Sequence, residues 1–243
     1  MDKILEVVDL EKRYKNGRGI SNVSFDIYPG EVVGLLGPNG SGKTTIMKSI
    51  TGLIGANKGS IKICGIDIEA DFESAIRNVG CLIETPSLIL GMSCYNNLKL
   101  ISRFYKDVGP DRIDSVLQIT GLTKYKNDKV KSFSLGMKQR LAIAMAIFQN
   151  PKLVILDEPS NGLDIEGSKE LRKIISQLAK EFMISFLVSS HQVHEIEMIC
   201  DKLLIIKDGN IVDSCVVKNV QGIGLSIEDY FIEKINVSKE RHK

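Results

Sequence analysis

Apolar and polar positions alternate in the first third of the chain. Val23, Phe25 and Ile27 take every second place before Pro29-Gly30, a strand running into a turn. Ile61 and Ile63 repeat the pattern after Gly59. From about residue 87 to 149 the spacing turns helical. Ile113, Val116 and Leu117 share one face behind Pro110, a residue suited to a first helical position. Residues Leu141 to Phe148 are apolar all round, which predicts a buried helix. After Pro151 strands and helices alternate again. Residues Lys152 to Leu156 predict a short apolar strand. Leu171, Ile174, Ile175 and Leu178 predict an amphipathic helix. Ile184 to Ser189 and Leu203 to Ile206 predict strands, and Asp208-Gly209 a hairpin turn into Ile211 and Val212.

This order predicts an α/β fold with a mostly parallel sheet, an N-terminal antiparallel β lobe and an inserted helical subdomain. The expected division is one domain over 1–243. Residues 1–86 and 150–222 make its α/β core, 87–149 the helical subdomain and 223–243 a short C-terminal tail.

Composition narrows the classes. A chain of 243 residues, 43% hydrophobic and 26% charged, is ordinary for a globular protein. A net charge of +2 offers no electrostatic case for nucleic acid as a partner. The N-terminal residues lack the apolar stretch of a signal peptide, and no run approaches the ~20 apolar residues of a membrane span. The expectation is a soluble protein whose membrane role, if any, comes from a partner. Cys64, Cys81, Cys94, Cys200 and Cys215 show no metal-binding spacing and read as reduced thiols.

The chemistry lies at the ends of predicted strands. Open parallel sheets bind ligands at their carboxyl edges. Val32 to Leu36 runs into Gly37, Val79 to Ile83 into Glu84, Leu153 to Leu156 into Asp157-Glu158, and Phe186 to Ser190 into His191. Gly37-Pro38-Asn39-Gly40-Ser41-Gly42-Lys43-Thr44 matches the phosphate-binding loop pattern, and Thr45 follows it. Its glycines let backbone N–H groups face phosphate oxygens, and the following helix points its positive end at the same anion. Lys43 would add a charge on the outer phosphates and Thr44 would ligate Mg²⁺. The core is thus expected to be a P-loop nucleotide-hydrolase core binding ATP and Mg²⁺. Asp157 would hold the metal. Glu158 would polarise the attacking water. His191 would contact the γ-phosphate, while His194 and His242 read as structural. Ser134 is a natural N-cap, and a capped helix start containing Gly136 is also an anion site. It would serve this chain's ATP if close to Gly37, and otherwise another chain's.

Together these residues resemble the nucleotide-binding subunit of ABC transporters, from about Leu5 to the 226–235 stretch. Gly37–Thr44 is similar to the family's Walker A, Val154–Asp157 with Glu158 to Walker B and the catalytic glutamate. Phe133–Met137 resembles the signature, Asn161–Asp164 the D-loop and His191 the switch histidine. Tyr14 sits where the family stacks an aromatic ring on adenine; a plain core or surface tyrosine is the alternative. The resemblance implies a homodimer across two ATP sites, with Ser134, Gly136 and Asp164 facing the partner's Walker A. It also implies a separate membrane permease and a cytoplasmic chain held peripherally at the inner face of the membrane. The signature departs from the family's pattern: the first glycine and the glutamine are missing. Glu84 stands where most of the family has glutamine, and as a carboxylate it joins Thr44 and Asp157 as an expected metal ligand. A glutamate there, with the segment 91–98, resembles the subgroup exporting bacitracin or giving lantibiotic self-immunity; a tolerated exchange is the alternative. Leu88, Ile89, Leu90, Met92 and Tyr95 would contact a partner helix or be buried as core. The other readings are a motor for another exported substrate, or a soluble non-transport ATPase.

Overall fold

The computed structural model describes residues 2–105, 108–109 and 111–240, the last four by backbone alone. Pro110 and His242 lie outside the described residues.

An antiparallel sheet leads the chain. It is built from β1 (Leu5–Arg13), β2 (Gly19–Ile27), β4 (Lys58–Ile63) and β5 (Ile66–Asp67), in the order β2-β1-β4-β5. The second sheet contains β3 (Val32–Leu36), β6 (Val79–Leu82), β7 (Leu153–Leu156), β8 (Ser185–Ser190), β9 (Lys202–Lys207) and β10 (Asn210–Val216). Its order is β10-β9-β3-β8-β7-β6, and every pair is parallel except β10 with β9. That last pair is the expected hairpin: Asp208 and Gly209 take φ of 48° and 81°, as a two-residue turn requires.

The inner strands β3 and β7 are apolar and buried at every position because both of their faces are covered. Side chains alternate between two cores. Val33, Leu35, Ile155, Leu187 and Leu204 face the antiparallel lobe and helix α1 (Lys43–Ile50). Val32, Val154, Leu156, Phe186, Val188 and Leu203 face the other way, onto the helices. Each buried aliphatic side chain of this kind contributes about 1.5–3 kcal/mol.

The remaining helices are α2 (Phe72–Ile76), α3 (Cys94–Ser102), α4 (Arg112–Ile119), α5 (Leu135–Ala146), α6 (Ile165–Phe182), α7 (Val193–Glu197), α8 (Val217–Gly222) and α9 (Ile227–Glu240). The all-apolar stretch after Leu141 is only the buried second half of α5. The first half carries exposed and half-buried residues that the apolar criterion could not include. Arg112 ties the end of that segment to α4, donating to the carbonyls of Phe148 at 2.9 Å and Ile147 at 2.6 Å. Two expectations need correction. The strand placed at Val79 to Ile83 stops at Leu82, because the chain turns away at Glu84 with φ 66°. The stretch expected as a short C-terminal tail carries helix α9 over Ile227–Glu240. Ile227 is fully buried, and Tyr230 Oη donates to Asp213 at 2.8 Å, which docks α9 on β10.

Candidate functional site

The four strand ends singled out in the sequence are neighbours in space, since β3, β8, β7 and β6 are adjacent and parallel. The loop after β3 curls tightly. A Cβ on Gly37 would lie 2.3 Å from the Ile206 carbonyl oxygen, and Gly42 takes φ 112° where a Cβ would meet Ile20 at 2.6 Å. Only glycine fits both conditions. Helix α1 starts at once, so its free N–H groups point into the loop. Lys43 is 5% exposed; its Nζ donates to the Gly37 carbonyl at 2.8 Å and the Pro38 carbonyl at 3.2 Å.

Beside the loop, Thr44 Oγ1 donates to Asp157 Oδ2 at 2.8 Å. Asp157 Oδ1 accepts from Ser189 Oγ at 2.5 Å, and the same Ser189 oxygen accepts from the Glu158 N–H at 2.8 Å. Glu158 has φ 46°, a left-handed conformation that is uncommon outside glycine and concentrates at functional sites. Its Oε1 lies 3.5 Å from Lys43 Nζ, and its Oε2 lies 2.9 Å from His191 Nδ1. Ser160 Oγ donates to Glu195, which ties the segment after Glu158 to α7. Expected residues from three strand ends thus converge: Lys43, Thr44, Asp157, Glu158 and His191.

A cleft of about 420 Å³ opens in front of them. Its lining includes Tyr14, Asn39, Gly40, Gly42, Lys43, Thr44, Thr45 and Glu158. Tyr14 is 40% exposed at its rim, so the plain-core alternative for this residue fails. Asn16 and Arg18 also line the cleft, and sequence reading missed both. The Tyr14 N–H donates to the Arg18 carbonyl at 2.8 Å and the Arg18 N–H to Asn16 Oδ1 at 3.1 Å, a tight turn of polar residues that no motif announces. Ser189 was missed as well; its position at a strand end was the available signal.

The residues fit a nucleotide and a divalent ion. Ser41 Oγ is buried inside the loop and has no hydrogen-bond partner among the described residues, as an oxygen facing an anion would be. Among the described residues no three His, Cys, Asp or Glu side chains converge on a metal position. Thr44 and Asp157 do converge, and Mg²⁺ needs only one or two protein carboxylates beside phosphate oxygens. Glu84 stands apart from this pair: its carboxylate lies 2.5 Å from Lys48 Nζ.

Ser134, Gly136 and Asp164 do not line the cleft. They form a second group. Ser134 Oγ caps α5 by accepting from the Met137 N–H at 3.2 Å, and Asp164 caps α6 by accepting from Gly167 N–H at 2.7 Å. The two helix starts touch: a Cβ on Gly136 would sit 3.7 Å from Gly167 and 3.9 Å from Leu163. Leu135 and Ile165, beside these caps, are 52% and 87% exposed.

Residues 20–161 match the ABC transporter family. The lantibiotic transport ATP-binding protein SrtF of Streptococcus pyogenes is 38% identical over 238 residues, 98% of this chain and 100% of that protein. The bacitracin transport ATP-binding protein BcrA of Bacillus licheniformis is 38% identical over 213 residues, 88% of this chain and 70% of that protein. Among solved structures, an ATP-binding subunit of an ABC transporter superposes with TM-score 0.83 at 28% identity, covering 96% of this chain and 99% of that one. Among the described residues no helix is long and apolar enough to cross a membrane. With a phosphate-binding loop, a strand-end aspartate–glutamate pair and a histidine gathered at one cleft, this chain belongs to the ABC transporter ATP-binding proteins, the ATPases that drive transport.

Proposed function

We propose that this chain powers export of an antimicrobial peptide, of lantibiotic or bacitracin type, through a separate membrane permease. The observation that carries the reading is the full-length similarity to SrtF, with BcrA beside it. Glu84, a glutamate just past the end of β6 where most of the family has glutamine, supports it.

At the site, the 37–45 loop and the start of α1 bind the triphosphate, and Tyr14 stacks on adenine. Lys43 holds the outer phosphates. Thr44 and Asp157 would hold Mg²⁺, with Glu84 as a further ligand once released from Lys48, and the ion would neutralise charge on the phosphate oxygens. Glu158 accepts a proton from the attacking water, and His191 orients Glu158 through their 2.9 Å contact. Ser189 keeps Asp157 and the Glu158 backbone in register. Two copies pair head to tail, so that Ser134, Gly136 and Asp164 of one copy close the cleft of the other. Three features support the pairing: these residues lie outside their own chain's cleft, two helix N-termini meet there, and Leu135 and Ile165 are exposed beside them.

The permease contact starts at Glu84. Ile89, Leu90 and Met92 are exposed, whereas Leu88 and Tyr95 pack on the core. A groove of about 340 Å³ begins beside them, lined by Leu53, Cys81, Thr85, Pro86 and Tyr105 among others. The chain then works at the cytoplasmic face, held there by its permease.

The test uses cells carrying the complete transporter. Wild-type and Glu158→Gln versions are grown under a lantibiotic, bacitracin and an unrelated toxic compound. Loss of resistance to the peptides alone is expected. Unchanged peptide sensitivity, with purified ATPase activity intact in the wild type, assigns the motor to another substrate.

A further inference from the structure

Glu84 and Lys48 form an ion pair that the nucleotide site does not use. Asp157 N–H donates to the Leu82 carbonyl at 2.9 Å, and Leu82 pairs with Leu156. Glu84 therefore emerges one strand over from Asp157 and Glu158. Its φ of 66° turns the chain out of the sheet and toward the segment that leads to α3. The carboxylate is 64% exposed, yet it is not free: Lys48 Nζ donates to its Oε1 at 2.5 Å.

Lys48 lies four residues after Thr44 on α1, so the Thr44 hydroxyl and the Lys48 ammonium share one helix face. Asp157 is the carboxylate that accepts from Thr44. A cation of the protein's own therefore stands one helical turn from Thr44 of the proposed metal position, and it is bound to one of that metal's proposed ligands. A glutamine at position 84 would be neutral and would have no such partner charge.

We propose that Lys48 is a positioning residue that holds the Glu84 carboxylate as an ion pair, so that Glu84 reaches the metal of the nucleotide site only by exchanging one cation for another. The proposal rests on the nucleotide-site reading above. Exchange makes the 84–93 segment sensitive to the state of the cleft, because the carboxylate cannot serve Lys48 and the metal at once. The pair is partly exposed, and exposed pairs are worth up to about 1 kcal/mol, about fivefold in an equilibrium. That size suits a switch, since a stronger pair would keep Glu84 from the metal altogether.

The experiment is a double-mutant cycle on the full chain, read by binding rather than turnover. Affinity for a fluorescent N-methylanthraniloyl ATP is titrated with and without Mg²⁺ in wild type, Lys48→Gln, Glu84→Gln and the double variant. Lys48→Gln frees the carboxylate and raises the Mg²⁺-dependent gain in affinity about two- to fivefold. In the Glu84→Gln background the same change leaves that gain where it was. Lys48→Arg keeps the charge and stays close to wild type. A shift of equal size in both backgrounds, no shift in either, or Lys48→Arg behaving as Lys48→Gln overturns the proposal. Lys43→Ala with unchanged nucleotide affinity overturns the nucleotide-site reading instead, and the pair falls with it.

Discussion

Ser189 is fully buried, and its single oxygen serves two neighbours. It donates to Asp157 Oδ1 at 2.5 Å and accepts from the Glu158 N–H at 2.8 Å. Ser189→Ala removes both bonds at once. A hydrogen bond to a charged group contributes about 1.5–3 kcal/mol, and a stranded buried donor costs about 1–3 kcal/mol. The two overlap in part, so the expected loss of stability is about 2–4 kcal/mol. With a urea m-value of about 3 kcal/mol per M, the unfolding midpoint falls by about 1 M. The internal control is Ser190→Ala. Ser190 Oγ makes a local turn with Gln192, accepting from its N–H at 2.9 Å and donating to its carbonyl at 3.3 Å, and touches neither acidic residue. Its loss should cost about 1 kcal/mol. Turnover separates positioning from stability: under native conditions Ser189→Ala lets Asp157 and Glu158 drift. Each 1.4 kcal/mol lost from the transition state is about tenfold in kcat. The measurements are urea curves followed by fluorescence and ATP hydrolysis below the unfolding transition. A midpoint shift no larger than that of Ser190→Ala, with wild-type turnover, refutes the reasoning.

Two further outcomes are expected. Glu158→Gln keeps the nucleotide cradle of Lys43 and the 37–45 loop but removes the proton acceptor beside His191, so ATP binding persists while hydrolysis stops. Size-exclusion chromatography with ATP should show a dimer for that variant, and hydrolysis near the wild-type rate contradicts the role given to Glu158. Mixing Ser134→Arg subunits with Lys43→Ala subunits brings one intact pair together across a shared interface. About half of the wild-type activity per mixed dimer is expected, and recovery in the mixture is measured against each variant alone.

Much of the site is legible from residue types and their spacing, because phosphate chemistry constrains local sequence. A loop that must present N–H groups to an anion needs glycines at set places, and Gly37 and Gly42 are where a Cβ would collide or strain the backbone. Strands buried on both faces read as short apolar runs, so β3, β7 and β8 and the residues at their ends are recognisable within a residue or two. Ser134 is readable as a cap because a helix start demands a side-chain acceptor.

Other features depend on elements far apart in the chain. Helix α9 turns Ile227, Tyr230, Phe231 and Ile235 inward at helical spacing, but the surface they meet, and the Tyr230–Asp213 bond, come from elements distant in the chain. Asn16 and Arg18 enter the cleft because β1 and β2 turn beside the 37–45 loop, a contact set by sheet packing. The sequence by itself determined the strand-end chemistry, through residue types that anions and apolar burial require. Tertiary structure alone decided that Ser189 bridges Asp157 and Glu158, and that Glu84 meets Lys48 across 36 residues of chain. Those contacts arise from the order in which parallel strands assemble, which no local pattern of side chains encodes.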